Sequence, residues 1–203
     1  MKADPTAFGT AGAGSGGGGS SGSSRTAGRK ELLALAPLAV PAFLDGYGYK
    51  AADTANWQVQ PGAPDAPINS RAPELTCGVF AHEEDDGHTY YTLTCAMVDV
   101  RAPRLDWKIR RRLVTLRETL HDVVQVELGE LYARYFAETP FAHKGGVPGT
   151  TARLHSWCGT LATCINKGYL SPSLVAHVLH FLEAPEPDRS SVGVDVDDIE
   201  LTF

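Results

Sequence analysis

Trp107-Lys108-Ile109-Arg110-Arg111-Arg112-Leu113-Val114-Thr115-Leu116 is the stretch on which the fold turns. Its first half reads as a strand that runs into three arginines. Its second half opens a segment, 114–128, with apolar residues at 116, 120, 123, 124 and 128. That spacing is close to the i, i+3, i+4, i+7 stripe of an amphipathic helix. Upstream, Leu75 to Ala81 reads as a strand and His82-Glu83-Glu84-Asp85-Asp86-Gly87 as a polar hairpin turn. Thr89 to Val100, rich in Thr, Tyr and Val, reads as a second strand, and Arg101-Ala102-Pro103 breaks it.

Downstream, Gly129 interrupts the helix and Leu131 to Phe136 adds a further turn or two. A loop bounded by proline and glycine, Pro140 to Gly149, follows. Thr150 or Thr151 is placed to cap the next helix, whose stripe is Leu154, Trp157, Cys158, Leu161 and Ile165. Ser171-Pro172 opens the last helix as an N-cap with proline at the first helical position, and Pro185 closes it. Three strands followed by helices predict an α+β fold: a three-stranded antiparallel meander with a helical subdomain behind it.

The flanks differ in composition. Residues 1–30 hold nine of the 21 glycines of the 203-residue chain and predict a disordered arm, since they offer little to bury against the entropy of ordering. Within 31–74, residues 31–46 read as an apolar segment, with Leu32-Leu33-Ala34-Leu35 and Phe43-Leu44, that docks as a short helix on the domain or folds only with a partner, and 52–74 read as a linker carrying Pro61, Pro64, Pro67 and Pro73. The folded domain is expected over 75–185, and 186–203 as an acidic tail.

Charge is distributed as unevenly. Between Arg101 and Arg117 there are seven basic residues and one acid, a net +6 inside a chain whose total is −6. From Glu183 to Phe203 seven acids face Arg189 alone, a net −6. A basic cluster in an acidic protein is a local electrostatic feature that suits either an anionic partner or, more simply, a strand edge kept soluble by its arginines.

Several classes of function are set aside. No apolar run reaches the ~20 residues of a membrane span, and no apolar stretch follows Met1-Lys2 to suggest a secretory signal. The four cysteines, Cys77, Cys95, Cys158 and Cys164, lack the density of a disulfide scaffold and read as buried thiols in a reducing, cytoplasmic compartment. No metal site is expected: His82 and His88 flank a hairpin tip, and His177 and His180 lack a third ligand. No nucleophile elbow, phosphate loop or dinucleotide fingerprint lies between a strand and a helix, so neither a catalytic residue nor a cofactor is expected. The acidic domain, without a recognition helix, argues against nucleic acid.

The order of elements and their punctuation resemble the phox-homology (PX) family, a phosphoinositide-binding module. The resemblance spans about residues 75–185. It rests on Tyr90-Tyr91-Thr92-Leu93, on Trp107 to Leu116, on Pro140-Phe141-Ala142-His143-Lys144, on Arg153 followed by Trp157 and Leu161, and on Phe181-Leu182-Glu183. It implies that Arg112 holds the 3-phosphate of an inositol ring, with Arg111 beside it. Lys144 then contacts a second phosphate and Arg153 the ring hydroxyls. Leu113 stands where the family has a tyrosine packing on the ring, and Val114, Thr115 and Leu116 replace its Ser, Asp/Glu and Phe. Phe141 and Val147 are the expected membrane-inserting side chains. The implied partners are a 3-phosphorylated phosphoinositide headgroup and a membrane surface, and the implied place is peripheral on endosomal or other internal membranes. The alternative is a PX-like domain that binds a protein partner and has lost most lipid affinity.

Overall fold

The structure, a computed structural model, describes residues 39–143 and 149–186. It is an α+β fold, with a three-stranded antiparallel sheet of order β3-β4-β5 followed by helices. Helix α1 (Ala39–Tyr47) and a small hairpin, β1 (Lys50–Ala51) and β2 (Trp57–Val59), precede the main strands β3 (Glu74–Asp85), β4 (His88–Asp99) and β5 (Ala102–Arg112). Beyond β5 a continuous helical run comprises α2 (Leu113–Thr115), a π-helical stretch Leu116–His121 and α3 (Asp122–Leu128). Then come α4 (Glu130–Tyr135), α5 (Thr150–Asn166) and α6 (Pro172–Phe181).

The meander is longer and tighter than its composition suggests. The acidic residues Glu83, Glu84 and Asp85 belong to β3, and only Asp86-Gly87 makes the turn, with φ of 48° and 70°. Two consecutive positive φ angles define the type I′ hairpin whose twist matches that of its strands, and Asp-Gly is a favoured pair for it. Along β4, Tyr91, Leu93, Cys95 and Met97 are buried, and the residues between them face the other way. Ile109 lies opposite Leu93, Trp107 opposite Cys95 and Leu105 opposite Met97, so one face of the sheet carries the core.

Helix α5 covers that face along β3. Asn166 donates from Nδ2 to the Leu75 carbonyl (2.8 Å) and accepts from the Leu75 N–H through Oδ1 (2.9 Å). At the other end Thr151 Oγ1 lies 2.9 Å from His82 Nδ1. The fifteen steps from Thr151 to Asn166 rise about 22 Å as helix, and the seven from Leu75 to His82 span about 23 Å as strand. Helix and strand therefore run antiparallel, in step. Midway, a Cβ on Gly78 would stand 2.7 Å from His155 Nδ1, so any larger residue here would push the exposed His155 and Phe80 rings aside.

The expected linker is corrected by the structure. Val40, Leu44, Tyr47 and Tyr49 are buried in the main core, and the residues that follow are pinned to it by side chains. Trp57 Nε1 donates to the Leu170 carbonyl (2.9 Å), and the Ser173 N–H donates to the Thr54 carbonyl (2.9 Å). Arg101, in the β4–β5 turn, pairs with Asp99 (2.7 Å) and donates to the carbonyls of Asn69 (2.7 Å) and Arg71 (2.9 Å). Residues 39–74 thus belong to the domain. The expected arm at 1–30 and the tail beyond Glu186 lie outside the described residues.

His177 also departs from expectation. It is buried, and its Nε2 donates to the Thr119 carbonyl (2.8 Å) in the π-helical stretch, so it joins α6 to that segment. Ser171 caps α6 as expected, accepting from the Leu174 N–H (3.2 Å). The expected threonine cap on α5 is replaced by Gly149 at φ 92°.

All four cysteines are free thiols. Cys77 and Cys95 are cross-strand partners with sulfurs 3.5 Å apart. The Cys158 thiol pushes Cys77 up, and Cys77 in turn pushes Cys95 up, while burial pushes Cys164 up to about 11 from the ordinary 9.0. Two measurable consequences follow for the fold. Asn166→Ala strands both backbone groups of Leu75, and urea unfolding is expected to show a loss of about 2–3 kcal/mol; an unchanged midpoint would contradict the role given to Asn166. The folded chain also keeps thiol protons that the unfolded chain releases, so stability is full below about pH 9 and falls as pH rises toward about 11. A flat unfolding free energy across that range would refute the buried-thiol assignment.

Candidate functional site

The strand period decides what each arginine of the run can do. Arg110 and Arg112 lie opposite Thr92 and Tyr90 on the outer face of the sheet, while Arg111 lies opposite Tyr91 on the core face. Arg110 pairs with Glu83 (2.5 Å) and Asp85 (2.9 Å), and its guanidinium sits 4.2 Å from the centre of the Tyr90 ring. Arg111 pairs with Glu183 and lies 5.6 Å from the Phe181 ring centre, which holds the end of α6 against the sheet. Arg112 closes the strand half-buried, with Nη2 3.2 Å from His88 Nδ1 across the hairpin. Two of the three arginines are therefore engaged by carboxylates, and Arg112 has only an imidazole beside it among the contacts described.

Helix α2 begins at the next residue. Leu113 is half-buried, with one side packed on the core. One helical turn past Arg112, Arg117 donates to the Ala142 carbonyl, and its guanidinium lies 5.2 Å from the Phe141 ring centre. Arg117 thereby pins the segment that leads directly to Lys144. The opposite end of that loop is held by α5. Thr151 meets His82, and Thr150 bonds the Tyr91 phenol, whose pKa burial raises and that bond lowers. Tyr91 is the strand neighbour of Tyr90, which faces Arg112. The start of α5 therefore docks on the core-face residues Tyr91 and His82, one register position from Tyr90 and Arg112 on the outer face. Arg153, in the first turn of α5, is exposed. Lys144 and Val147 lie outside the described residues.

Phe141 requires a correction. It is 6% exposed and sits among rings, 5.1 Å from Trp157 and 4.3 Å from His121 between centres. Trp157 is fully buried, stacks on Phe136 and donates from Nε1 to the Tyr132 hydroxyl (2.9 Å). A side chain in this cluster is a core anchor and is not available for insertion into a membrane. Placing the apolar ring of the loop at its tip was the natural reading of a Pro-Phe pair before a lysine, but the buried face of Trp157 claims it.

Arg117 and His88 were missed as site residues. Arg117 was legible only as part of the +6 window, yet its position five after Arg112 puts it more than one helical turn on. No pattern in the sequence marks the His88 contact, which arises from the length of the hairpin. Among the described residues no group of three or more His, Cys, Asp or Glu side chains is arranged to hold a metal ion, and no helix is long and apolar enough to cross a membrane. No protein-family model matches the chain, and no curated protein matches it.

The pinning role of Arg117 is testable without a ligand. Arg117→Ala removes a charge-assisted bond to a buried segment, worth about 1.5–3 kcal/mol. Amide exchange over Ala142 and His143 should accelerate well beyond that of the sheet; equal acceleration everywhere would show a global loss of stability instead.

Proposed function

We propose that the chain is a membrane-peripheral adaptor module whose site at the end of β5 takes the phosphorylated headgroup of a phosphoinositide, in the manner of a PX domain. Arg112 is the phosphate ligand, Arg153 binds ring hydroxyls, and Lys144, from the loop held at Ala142 and Gly149, adds a second phosphate contact. A guanidinium offers paired, charge-assisted hydrogen bonds to phosphate oxygens. The observation that carries this reading is Arg112, which ends β5 with the His88 imidazole and, among the described residues, no carboxylate beside it, one register position from the Tyr91 that Thr150 of α5 meets. Arg111 supports the site from behind through Glu183 and Phe181.

The membrane contribution falls to Val147 and to the basic window, since an anionic leaflet attracts each nearby basic residue by about 1 kcal/mol. A 3-phosphorylated lipid is the favoured headgroup, and endosomal or other internal membranes are the corresponding location. A second reading, a protein-interaction domain with little lipid affinity, is favoured by one observation: the residue after Arg112 is the half-buried aliphatic Leu113, which offers no ring for the inositol to rest on.

Co-sedimentation with vesicles containing singly or multiply phosphorylated inositides separates the two. Selective binding to 3-phosphorylated lipid is expected, reduced at least about tenfold by Arg112→Ala or Arg153→Ala. Binding that follows vesicle charge alone and is indifferent to Arg112→Ala transfers the site to the second reading.

A further inference from the structure

The two edges of the main sheet are treated differently. The edge at β3 is closed by α5, whose Asn166 occupies both backbone groups of Leu75. Among the described residues the edge at β5 has no strand beside it in the sheet order β3-β4-β5. β5 is eleven residues long, and an edge strand leaves alternate N–H and C=O groups without a ladder partner. Pro103, which has no N–H to offer a ladder, lies in this strand, as prolines in sheets do at edges. A long open edge is a template for a further strand.

Its two faces specify what that strand looks like. On the outer face β5 presents Arg104, Asp106, Lys108, Arg110 and Arg112, a net positive row. On the core face Leu105 and Trp107 are only half-buried. A complementary strand alternates acid and apolar residues with period two. The chain contains such a segment. Val192, Val194 and Val196 alternate with Asp195 and Asp197, and then Asp198 and Glu200 alternate with Ile199, Leu201 and Phe203. The phase changes between Asp197 and Asp198, so pairing of both halves needs one bulge there.

The path to the edge is short. After α6, Trp107 Nε1 donates to the Leu182 carbonyl (2.8 Å), and Glu183, the first acid of the C-terminal run, already pairs with Arg111 of β5. Seventeen residues follow Glu186. Fully extended, they reach about 56 Å, more than the ~37 Å length of an eleven-residue strand.

We propose that residues 192–203 add to the open edge of β5 as a fourth strand, with their acids beside Lys108 and Arg112 and their apolar side chains over Leu105 and Trp107. The inference is independent of the lipid reading, because it concerns backbone pairing of the edge and not the headgroup site. Docked there, the acidic run screens the basic face of β5 and competes with any anionic partner for Arg112.

The test is amide exchange across Arg104 to Arg111 in the full chain and in two variants of it. Val196→Pro with Leu201→Pro removes ladder donors from the added strand, and Asp195→Asn with Asp197→Asn, Asp198→Asn and Glu200→Gln removes its charge. In the parent chain alternate β5 amides are expected to exchange at least about tenfold more slowly than in the proline variant. The neutral variant should fall between the two, with β3 and β4 protection unchanged in all three as the control for folding. Equal β5 exchange in the parent and the proline variant overturns the proposal. Protection that grows with protein concentration overturns docking within one chain and points to the same segment of a second copy.

Discussion

The alignment of α5 with β3 is the constraint on which the other parts rest. A strand at 3.3 Å per residue and a helix at 1.5 Å stay in step only over a limited length. Here they do so from Leu75–Asn166 at one end to His82–Thr151 at the other. Gly78 leaves room for the His155 ring at the middle, and Cys77 and Cys158 meet beneath it. Once α5 is fixed on the sheet, Trp157 is fixed too, and with it the ring cluster that receives Phe136, Phe141 and Tyr132. The helical subdomain is positioned by one helix lying along one strand.

Alternation then sorts the basic run. Three consecutive arginines carry the same charge in the sequence, but a strand sends them to two faces with different chemistry. Arg111 faces inward, where Glu183 and the Phe181 carbonyl at the α6 terminus receive it, and it ties the last helix to the sheet. Arg110 faces outward but meets the carboxylates that the long hairpin brings within reach. Arg112, at the strand end, is level with Glu83 in the register, but those carboxylates are taken up by Arg110, and the neighbour Arg112 meets is the His88 imidazole.

The fold was legible where local patterns were strong. Period two in β4, the helical stripes of α3, α5 and α6, and the Ser171-Pro172 cap all carry their information within a few residues. The misread parts are those whose information is spread through the fold. Residues 52–74 look like a linker because Pro61, Pro64, Pro67 and Pro73 break every period, while their attachment comes from isolated anchors such as Trp57 and the distant Arg101. Phe141 was misplaced for a related reason. A loop aromatic next to proline looks exposed until the helix that buries it has been located.

That misplacement bears on how the site is built. A loop whose only apolar ring projected outward would have to be ordered by its ligand, and binding would carry that entropic cost. With Phe141 sunk beside Trp157 and the Ala142 carbonyl held by Arg117, the approach to Lys144 is ordered by the core before any ligand arrives. Thr150 and Thr151 do the same for the return into α5. If the proposed headgroup site is correct, a substitution at Arg117 or Phe141 weakens binding by releasing Ala142, leaving the charges of Arg112 and Arg153 in place.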